Sequence, residues 1–450
     1  MKLFKRLLFF PFLLCNLYAF CQQGNFDPAQ RFTVEQLRSD LSFLKTKLER
    51  KHPNLYLYTP KASFNIFFDS LYRSITAPLI AQEFYHHISV LNSVIKDGHT
   101  MFLPGEKLTA YYNQHEKFLP FFFFVSSNRL YIRMNCSGDP ALKEGTEISS
   151  INGVSTADLL SQLVSRQIRD GYSNTYPEWL LTNYFAAYYG FSFGHPQQYS
   201  IGYKNNSAEK LVTINALAKD SIAYYKKLRY PAKAIPSAEG RGVFIDISQP
   251  SNTAILTIKS FNDDILKVLY HQDFKSSISN AFDTLRKSAV ANLIIDLRDN
   301  QGGDFKPGMI LLSYLLNQPV DFLPGSSQSK TITPRKDAYN GKLYLLVNGG
   351  SFSNSGIVSS YLELTKRAVF IGEETAGGHI IISGEPRDFI LPNTRIIAEI
   401  STRQFRIQQQ GNDGRGIIPQ YQVIPTIDDI INDRDPVKTF AFNLISNNVK

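Results

Sequence analysis

Apolar and polar residues recur with a helical period in the first part of the chain. Leucines follow Thr33 at every third or fourth position, at Leu37, Leu41, Leu44 and Leu48, as on one face of a helix. Residues 64–75 and 84–95 repeat this spacing, and Asp97-Gly98-His99-Thr100 is then typical of a turn. The pattern predicts an N-terminal helical region over residues 28–105.

The pattern changes to short strand-like runs after about residue 118. Strands are predicted at 121–125, 130–133, 147–151 and, as a pair, near 198–215. Turn residues separate them at Ser126-Ser127-Asn128 and Asn152-Gly153. A helix is expected over 158–164, and residues 170–195 are rich in aromatic side chains. We assign a β-rich domain to residues 115–218.

The last part of the chain alternates short apolar runs with helical patterns. Strands are predicted at 254–258, 293–297, 343–347 and 368–371, and helices at 273–288, 307–316 and 355–365. This alternation is typical of a largely parallel sheet that is buried on both faces. The predicted α/β domain covers residues 240–445, and the poorly patterned residues 219–250 are expected to form a linker into it. The fold class is therefore multidomain, α/β together with α+β.

The first 21 residues have the layout of a secretory signal peptide. A basic start is followed by the apolar residues 7–20 and by Ala19-Phe20-Cys21 before Gln22. An uncleaved membrane anchor is the alternative, but the apolar run is shorter than the roughly 20 residues of a membrane-spanning helix. A lipid on Cys21 is disfavoured by the bulky Phe20. We expect an exported protein, periplasmic or extracellular, with no stable membrane insertion after cleavage.

Composition narrows the class of protein without identifying it. The 450 residues are 43% hydrophobic and 19% charged, which excludes a disordered or fibrous chain. The net charge of +9 is too small for this length to indicate a nucleic-acid partner. Only Cys136 remains after the predicted cleavage, so neither a disulfide framework nor a cysteine metal site is expected. Cys136 lacks a local nucleophile signature.

Two loops at strand ends contain residues suited to acyl-transfer chemistry. Residues 348–356, Asn-Gly-Gly-Ser-Phe-Ser-Asn-Ser-Gly, follow a predicted parallel strand and precede a helix, where free N–H groups favour an oxyanion. Residues 296–304 contain Gly302-Gly303, which permits close approach of a backbone N–H to a carbonyl. Taken singly, each loop also has a simple interpretation as a turn followed by a capped helix.

A nucleophilic serine needs a base, and histidine is the usual one. His99 lies in a tight turn after a helix, where a functional group is well presented. His379 follows a glycine pair and is a weaker candidate, and most of the other histidines have structural explanations.

Taken together, these motifs resemble the C-terminal-processing (tail-specific) serine peptidases. They are the Asp-Leu-Arg-Asp-Asn-Gln-Gly-Gly loop, the Asn-Gly-Gly-Ser-Phe-Ser-Asn-Ser loop, Gly-Glu-Glu-Thr-Ala-Gly-Gly at 372–378 and Asn-Asp-Gly-Arg-Gly-Ile-Ile-Pro at 412–419. The chain is most similar to the branch that contains the tricorn protease core and interphotoreceptor retinoid-binding protein. The resemblance implies a PDZ-like β-rich domain, supported by residues 144–153, and a crotonase/ClpP-like α/β catalytic domain.

The resemblance also implies roles for particular residues. Ser353 matches the nucleophile, the backbone N–H groups of Gly303 and Asn354 match the oxyanion hole, and His99 matches the base. Asp413 stands where the branch has a glutamate that supports the histidine, and the Thr100 hydroxyl could mediate that support. The catalytic lysine of the processing branch is absent, because Gly378 occupies its position. A second departure is Gly356, where the family usually has an acidic residue.

These residues predict an exported serine endopeptidase that acts on a peptide or protein substrate. No metal and no organic cofactor is implied, and the oligomeric state is open. The alternative is a non-catalytic binding protein of the same fold, which would hold a peptide, or an apolar ligand against the aromatic residues 172–193. Ordinary core packing is the simpler explanation for those aromatic side chains.

Overall fold

The computed structural model describes residues 26–140, 142–205, 208–231, 240–248, 252–408 and 411–447. The predicted signal peptide, residues 1–21, lies outside these ranges. Within them, no helix has the length and apolar character needed to cross a bilayer.

Cys136 is buried and unpaired. Burial raises the pKa of its thiol to about 11, so this thiol is unsuited to act as a nucleophile.

A six-stranded sheet forms the centre of the C-terminal part of the chain. Its first two strands are antiparallel and every later neighbour is parallel, in the spatial order Val243–Ser248, Thr253–Ile258, Asn292–Asp296, Lys342–Val347, Val369–Gly372 and Tyr421–Gln422. The two central strands are buried almost throughout, as the unbroken apolar runs predict for a sheet covered on both sides.

Helices cover both faces of this sheet. Leu293 and Leu345 point into a core shared with the helices Asp263–Tyr270, Phe274–Lys287, Phe305–Leu315 and Asn354–Leu364. The alternate residues Ile294 and Leu346 point to the other face, against the helix Pro436–Asn447. Because alternate residues of each strand point to opposite faces, the sheet lies between two helical layers. The predicted fold class, mixed α/β and multidomain, is confirmed.

A second six-stranded sheet follows the N-terminal helices along the chain. Its strands are Phe121–Ser126, Arg129–Asn135, Glu147–Ile151, Val154–Ser155, Gln198–Asn205 and Ala208–Asn215, all antiparallel to their neighbours. The helices Thr156–Val164 and Thr175–Phe193 pack against it. Both predicted hairpin turns are present, with positive φ at Ser127, Asn128, Asn152 and Gly153, as two-residue hairpins require.

The aromatic residues of the helix Thr175–Phe193 pack within the protein. Tyr176, Phe185 and Tyr189 are buried, and the Phe185 ring lies 4.7 Å from that of Phe123 in the sheet below. The arrangement matches the core-packing explanation of these side chains.

The N-terminal region is helical, over Val34–Lys51, Lys61–Ser74, Ala81–Ser89, Leu91–Ile95 and Glu106–His115. It is not an independent unit. The strand Met101–Leu103 pairs with Ile397–Ile400, which in turn pairs with Arg387–Ile390. Leu391, Ile396 and Ala398 belong to the same hydrophobic core as the N-terminal leucines. The predicted boundaries, 28–105 for the helical region and 240–445 for the α/β domain, therefore divide one hydrophobic core between two domains.

The predicted linker also differs from the structure. Residues 219–250 include the helix Lys219–Arg229 and the sheet-edge strand Val243–Ser248. No residue of this helix is buried. Residues 232–239 and 249–250 lie outside the described ranges.

Asp40 joins the first helix to the C-terminal hairpin. This fully buried carboxylate accepts hydrogen bonds from the backbone N–H groups of Asn393 (2.9 Å) and Thr394 (2.8 Å), from the Thr394 hydroxyl (2.7 Å) and from the Asn393 amide (2.9 Å).

We expect Asp40→Ala to lower the free energy of unfolding by about 3 kcal/mol, because several buried donors lose their acceptor. Urea denaturation measures this loss. Asp69→Ala is the control, since Asp69 makes only an exposed 3.8 Å contact with Lys45 and its loss should cost less than about 0.5 kcal/mol. Equal effects of the two substitutions would contradict the structural role of Asp40.

Candidate active site

Ser353 occupies a strained position at the start of a buried helix. It follows the strand Lys342–Val347 and precedes the helix Asn354–Leu364, with φ 54° and ψ −121°. A non-glycine residue in this conformation costs about 1–3 kcal/mol and is found mostly at functional sites. Although Ser353 is the N-cap residue, its side chain makes no capping hydrogen bond. The hydroxyl is therefore available for another partner.

His99 is that partner. Its Nε2 lies 3.0 Å from the Ser353 Oγ, although the two residues are 254 positions apart. The imidazole is 6% exposed and stacks on the Phe352 ring at 4.5 Å. Burial lowers the pKa of His99, against an opposing effect of the Asp97 charge. The ring is thus held neutral, which is the form that can accept a proton.

The other two serines of the loop have structural positions. The Ser351 hydroxyl donates to the carbonyl of Leu297 at 2.8 Å and is fully buried. Ser355 is also fully buried, inside the helix, and its Oγ has no partner in the described part of the chain. Of the three, Ser353 is the one whose hydroxyl contacts a histidine.

The glycine loop lies directly against Ser353. Gly302 has φ +85°, and a Cβ on it would lie 2.7 Å from the Asn354 nitrogen, the Phe352 oxygen and the Ser353 Cβ. Among the described residues, the backbone N–H groups of Gly303 and Asn354 have no hydrogen-bond partner. An oxyanion hole requires two free N–H donors near the nucleophile, and Asn354 follows Ser353 directly while Gly303 follows the glycine packed against it.

Asn300, which sequence reasoning missed, holds the two loops together. Its carbonyl accepts from the Phe352 N–H at 3.0 Å and its Oδ1 from the Gly302 N–H at 2.8 Å. Its side-chain amide donates to the Ile258 carbonyl at 2.9 Å. An asparagine after a strand is an ordinary turn residue, so its pattern contains no distinguishing signal.

Asp413 and Thr100 are not hydrogen-bonded to His99. Asp413 accepts from the Arg415 N–H at 2.9 Å and lies 3.9 Å from the His379 Nδ1, with its side chain 57% exposed. The Thr100 hydroxyl oxygen accepts from the Ser401 N–H at 3.0 Å. The His99 Nδ1 is buried and has no hydrogen-bond partner within the described ranges. The predicted support of His99 by Asp413 through Thr100 is therefore absent from this geometry.

Two other carboxylates, Asp97 and Asp170, lie beside the imidazole instead. They form a cluster with His99 in which one ligand-type atom from each residue lies within 4.8 Å of the others. Asp97 was visible in the sequence only as part of a turn. Asp170 stood in the aromatic-rich segment without any motif, so only the folded chain reveals its position.

Asp97 is the ionised member of this pair. Its Oδ1 accepts from the His99 N–H at 2.7 Å and the Ser401 hydroxyl at 3.1 Å, and its Oδ2 lies 2.8 Å from the His52 Nε2. Burial alone would raise the pKa of Asp97, but the contacts with His52 and His99 lower it to about 2. A negative charge therefore lies beside the base.

Asp170 has the opposite character. Burial and the charge of Asp97 raise its pKa to about 7, although it accepts N–H hydrogen bonds from Gly98 at 2.6 Å and Gly378 at 3.3 Å. Two carboxyl groups this close cannot both ionise easily.

The absence of a lysine at position 378 is explained by the local packing. A Cβ on Gly378 would lie 2.6 Å from the Ile381 carbonyl oxygen. This loop has no room for a side chain directed at Ser353 without moving its backbone.

Comparison with known proteins gives a family match over the same region. Residues 252–423 match the sequence model of peptidase family S41, which confirms the resemblance drawn from the motifs. Over 113 residues, 24% of this chain and 22% of the other, the sequence is 33% identical to carboxyl-terminal-processing peptidase 2, chloroplastic, of Arabidopsis thaliana. Over 183 residues, 34% of this chain and 58% of the other, it is 26% identical to the nisin-resistance protein of Lactococcus lactis subsp. lactis.

The overall architecture also resembles a solved structure. The crystal structure of mature CPAF superposes with a TM-score of 0.67 at 15% identity, covering 92% of this chain and 98% of that chain. This likeness concerns the fold alone. The chain spans 22% and 25% of the lengths of the two curated relatives that it matches first.

We expect Gly302→Ala to reduce the rate at which a fluorophosphonate labels Ser353 by about 100-fold or more, because the new Cβ displaces both Ser353 and an oxyanion donor. Gly325→Ala is the matched control. Gly325 has a similar φ of +78° with nothing within 4 Å of the added Cβ, so it tests backbone strain alone. Equal labelling of both variants and the wild type would contradict the arrangement of the loop.

Proposed function

We propose that this chain, whose residues 252–423 match peptidase family S41, is a serine endopeptidase that acts through Ser353 and His99. The observation that supports this most directly is the 3.0 Å separation of the Ser353 Oγ and the His99 Nε2. Two side chains so distant in sequence have no structural need to meet at a strained serine, whereas a nucleophile and its base must.

In the proposed reaction, the Ser353 Oγ attacks the carbonyl carbon of the scissile peptide bond while His99 Nε2 takes the hydroxyl proton. The carbonyl oxygen becomes an oxyanion, which the N–H groups of Gly303 and Asn354 stabilise. When the intermediate collapses, the C–N bond breaks and His99 returns the proton to the departing amine. Water then attacks the acyl-enzyme carbonyl while His99 takes a proton from the water. His99 returns this proton to the Ser353 Oγ as the ester C–O bond breaks.

Asp97 takes the place of Asp413 in this proposal. Proton transfer makes the imidazole cationic, and the nearest ionised carboxylate is that of Asp97, which also holds the His99 backbone through its N–H. Asp97 is thus a positioning residue that stabilises the charged base. Asp170 supports the same turn by accepting from the Gly98 N–H.

The remaining parts of the proposal concern the surrounding domains and the location. We assign a PDZ-like role to residues 115–218, whose sheet could take up an extended peptide by strand addition, and a crotonase-like fold to the catalytic domain over residues 240–445. Export to the periplasm or the extracellular space rests on the pattern of residues 1–21. The substrate is a peptide or protein.

The binding-protein alternative has less support. Its basis was the aromatic segment, and Tyr176 and Phe185 are already engaged, stacked against Phe352 at 4.5 Å and packed on Phe123.

Labelling with a fluorophosphonate tests the nucleophile directly. We expect the wild-type protein to be labelled and both Ser353→Ala and His99→Ala to lose the label, because an unactivated hydroxyl reacts too slowly. Ser355→Ala and His379→Ala are the matched controls and should retain it. A folded wild type without labelling, or a label that persists in Ser353→Ala, would overturn the proposal.

Asp97→Asn tests the positioning carboxylate. The amide oxygen can still accept the His99 N–H, so the turn is conserved while the charge is lost. We expect kcat on a peptide substrate to fall by about 100-fold or more with KM changed less than about threefold, because Asp97 does not touch the substrate. Asp413→Asn should leave kcat within about threefold of the wild-type value. The reverse order of effects would restore the role first predicted for Asp413.

A further inference from the structure

The cluster of Asp97, His99 and Asp170 has the composition of a metal site. Each residue offers one ligand-type atom, these atoms lie within 4.8 Å of one another, and all three residues are buried. Zinc bound by nitrogen and oxygen, with bonds of about 2.0–2.2 Å, holds its ligands roughly 3.4 Å apart. Small side-chain movements would bring the three atoms to that separation.

The His99 Nδ1 is the independent sign that a ligand belongs here. It is fully buried and has no hydrogen-bond partner in the described part of the chain, while Nε2 faces Ser353. A buried polar nitrogen without a partner is costly. An imidazole nitrogen is also the commonest metal ligand in proteins.

Both carboxylates retain unused lone pairs. An ionised carboxylate has about four acceptor positions. Asp97 uses them toward His99 N–H, the Ser401 hydroxyl and His52, and Asp170 toward the N–H groups of Gly98 and Gly378. Each acid can therefore bind a metal without releasing its present partners.

A small cavity adjoins the two acids, Asp97 and Asp170. It has a volume of about 10 Å³, close to the space that one water molecule needs, and it is lined by His52, Asp97 and Asp170 together with Tyr58 and Lys96. The Lys96 ammonium is directed over the Tyr172 ring, 4.4 Å from its centroid. The two acids thus face an atom-sized space in which a divalent cation would relieve their mutual repulsion.

We propose that Asp97, His99 and Asp170 bind one Zn²⁺ ion, and that its binding switches the Ser353 site off. The mixed nitrogen and carboxylate donor set suits zinc rather than magnesium or calcium, which prefer oxygen ligands alone. The inhibitory part of this inference rests on the proposed peptidase function, whereas the binding part does not.

Inhibition follows from the tautomer of the imidazole. A metal on Nδ1 uses the lone pair of that nitrogen, so the proton of the neutral ring must reside on Nε2. Nε2–H then donates to the Ser353 hydroxyl and has no lone pair to accept its proton. Any proton on Asp170 is released to solvent as the metal binds. Zinc therefore holds the site in the form that cannot activate the serine.

Isothermal titration of ZnCl₂ into the untagged Ser353→Ala protein tests binding without any need for activity. We expect one site, no comparable response to MgCl₂, and binding at least 10-fold weaker in Ser353→Ala/Asp170→Asn and in Ser353→Ala/His99→Ala. Asp413→Asn in the same background is the matched control, because the exposed Asp413 lies 3.9 Å from His379 and this pair could attract zinc. This control should bind as tightly as its parent.

Fluorophosphonate labelling of the wild type then tests the switch. Labelling should fall by half near the zinc concentration that half-fills the site, and EDTA should restore it. The metal site is overturned if zinc shows no saturable binding, or if binding is lost in Asp413→Asn but kept in Asp170→Asn. Either result counts even if labelling is normal. Binding at the cluster without any loss of labelling overturns the inhibitory role alone. Absent labelling without zinc counts against the peptidase function and leaves the titration valid.

Discussion

Asp97 is a charged side chain held away from water, and the geometry around Ser353 depends on how that charge is paired. Its two oxygens contact His52 at the end of the first helix, His99 within its own turn and Ser401 after a C-terminal strand. An unpaired carboxylate would be very unfavourable in this interior. The pairing therefore joins three distant segments, and the His99 imidazole takes its direction from that junction.

The serine side of the site depends on backbone contacts rather than on charge. The loops that follow two adjacent parallel strands, Asn292–Asp296 and Lys342–Val347, meet at the same sheet edge and are linked through Asn300. The close approach of Gly302 leaves no space for a side chain. The unfavourable conformation of Ser353 is maintained because the buried helix and both loops leave it no alternative.

The two halves of the site belong to different parts of the chain, yet they share a core. The strand that follows His99 pairs with Ile397–Ile400, and the N-terminal helices bury residues of the same C-terminal hairpin. This continuous packing places a base from the beginning of the chain on a nucleophile near its end. It also brings two acids to one imidazole, and two carboxyl groups this close do not both ionise easily.

The sequence alone determined most elements, because these follow from local patterns, and its resemblance to a family singled out Ser353 and His99. Buried strands appear as apolar runs, the hairpin turns as the pairs Ser127-Asn128 and Asn152-Gly153, and the motifs around Ser353 and His99 resemble those of a family. Local pattern missed the helix Lys219–Arg229, which buries no residue. It also assigned the supporting acid to Asp413. Only the tertiary structure brought Asp97 and Asp170 to His99, since electrostatic partners are chosen by distance in space. Both acids are buried, and the contacts of Asp97 with His52 and His99 keep it the ionised member of the pair.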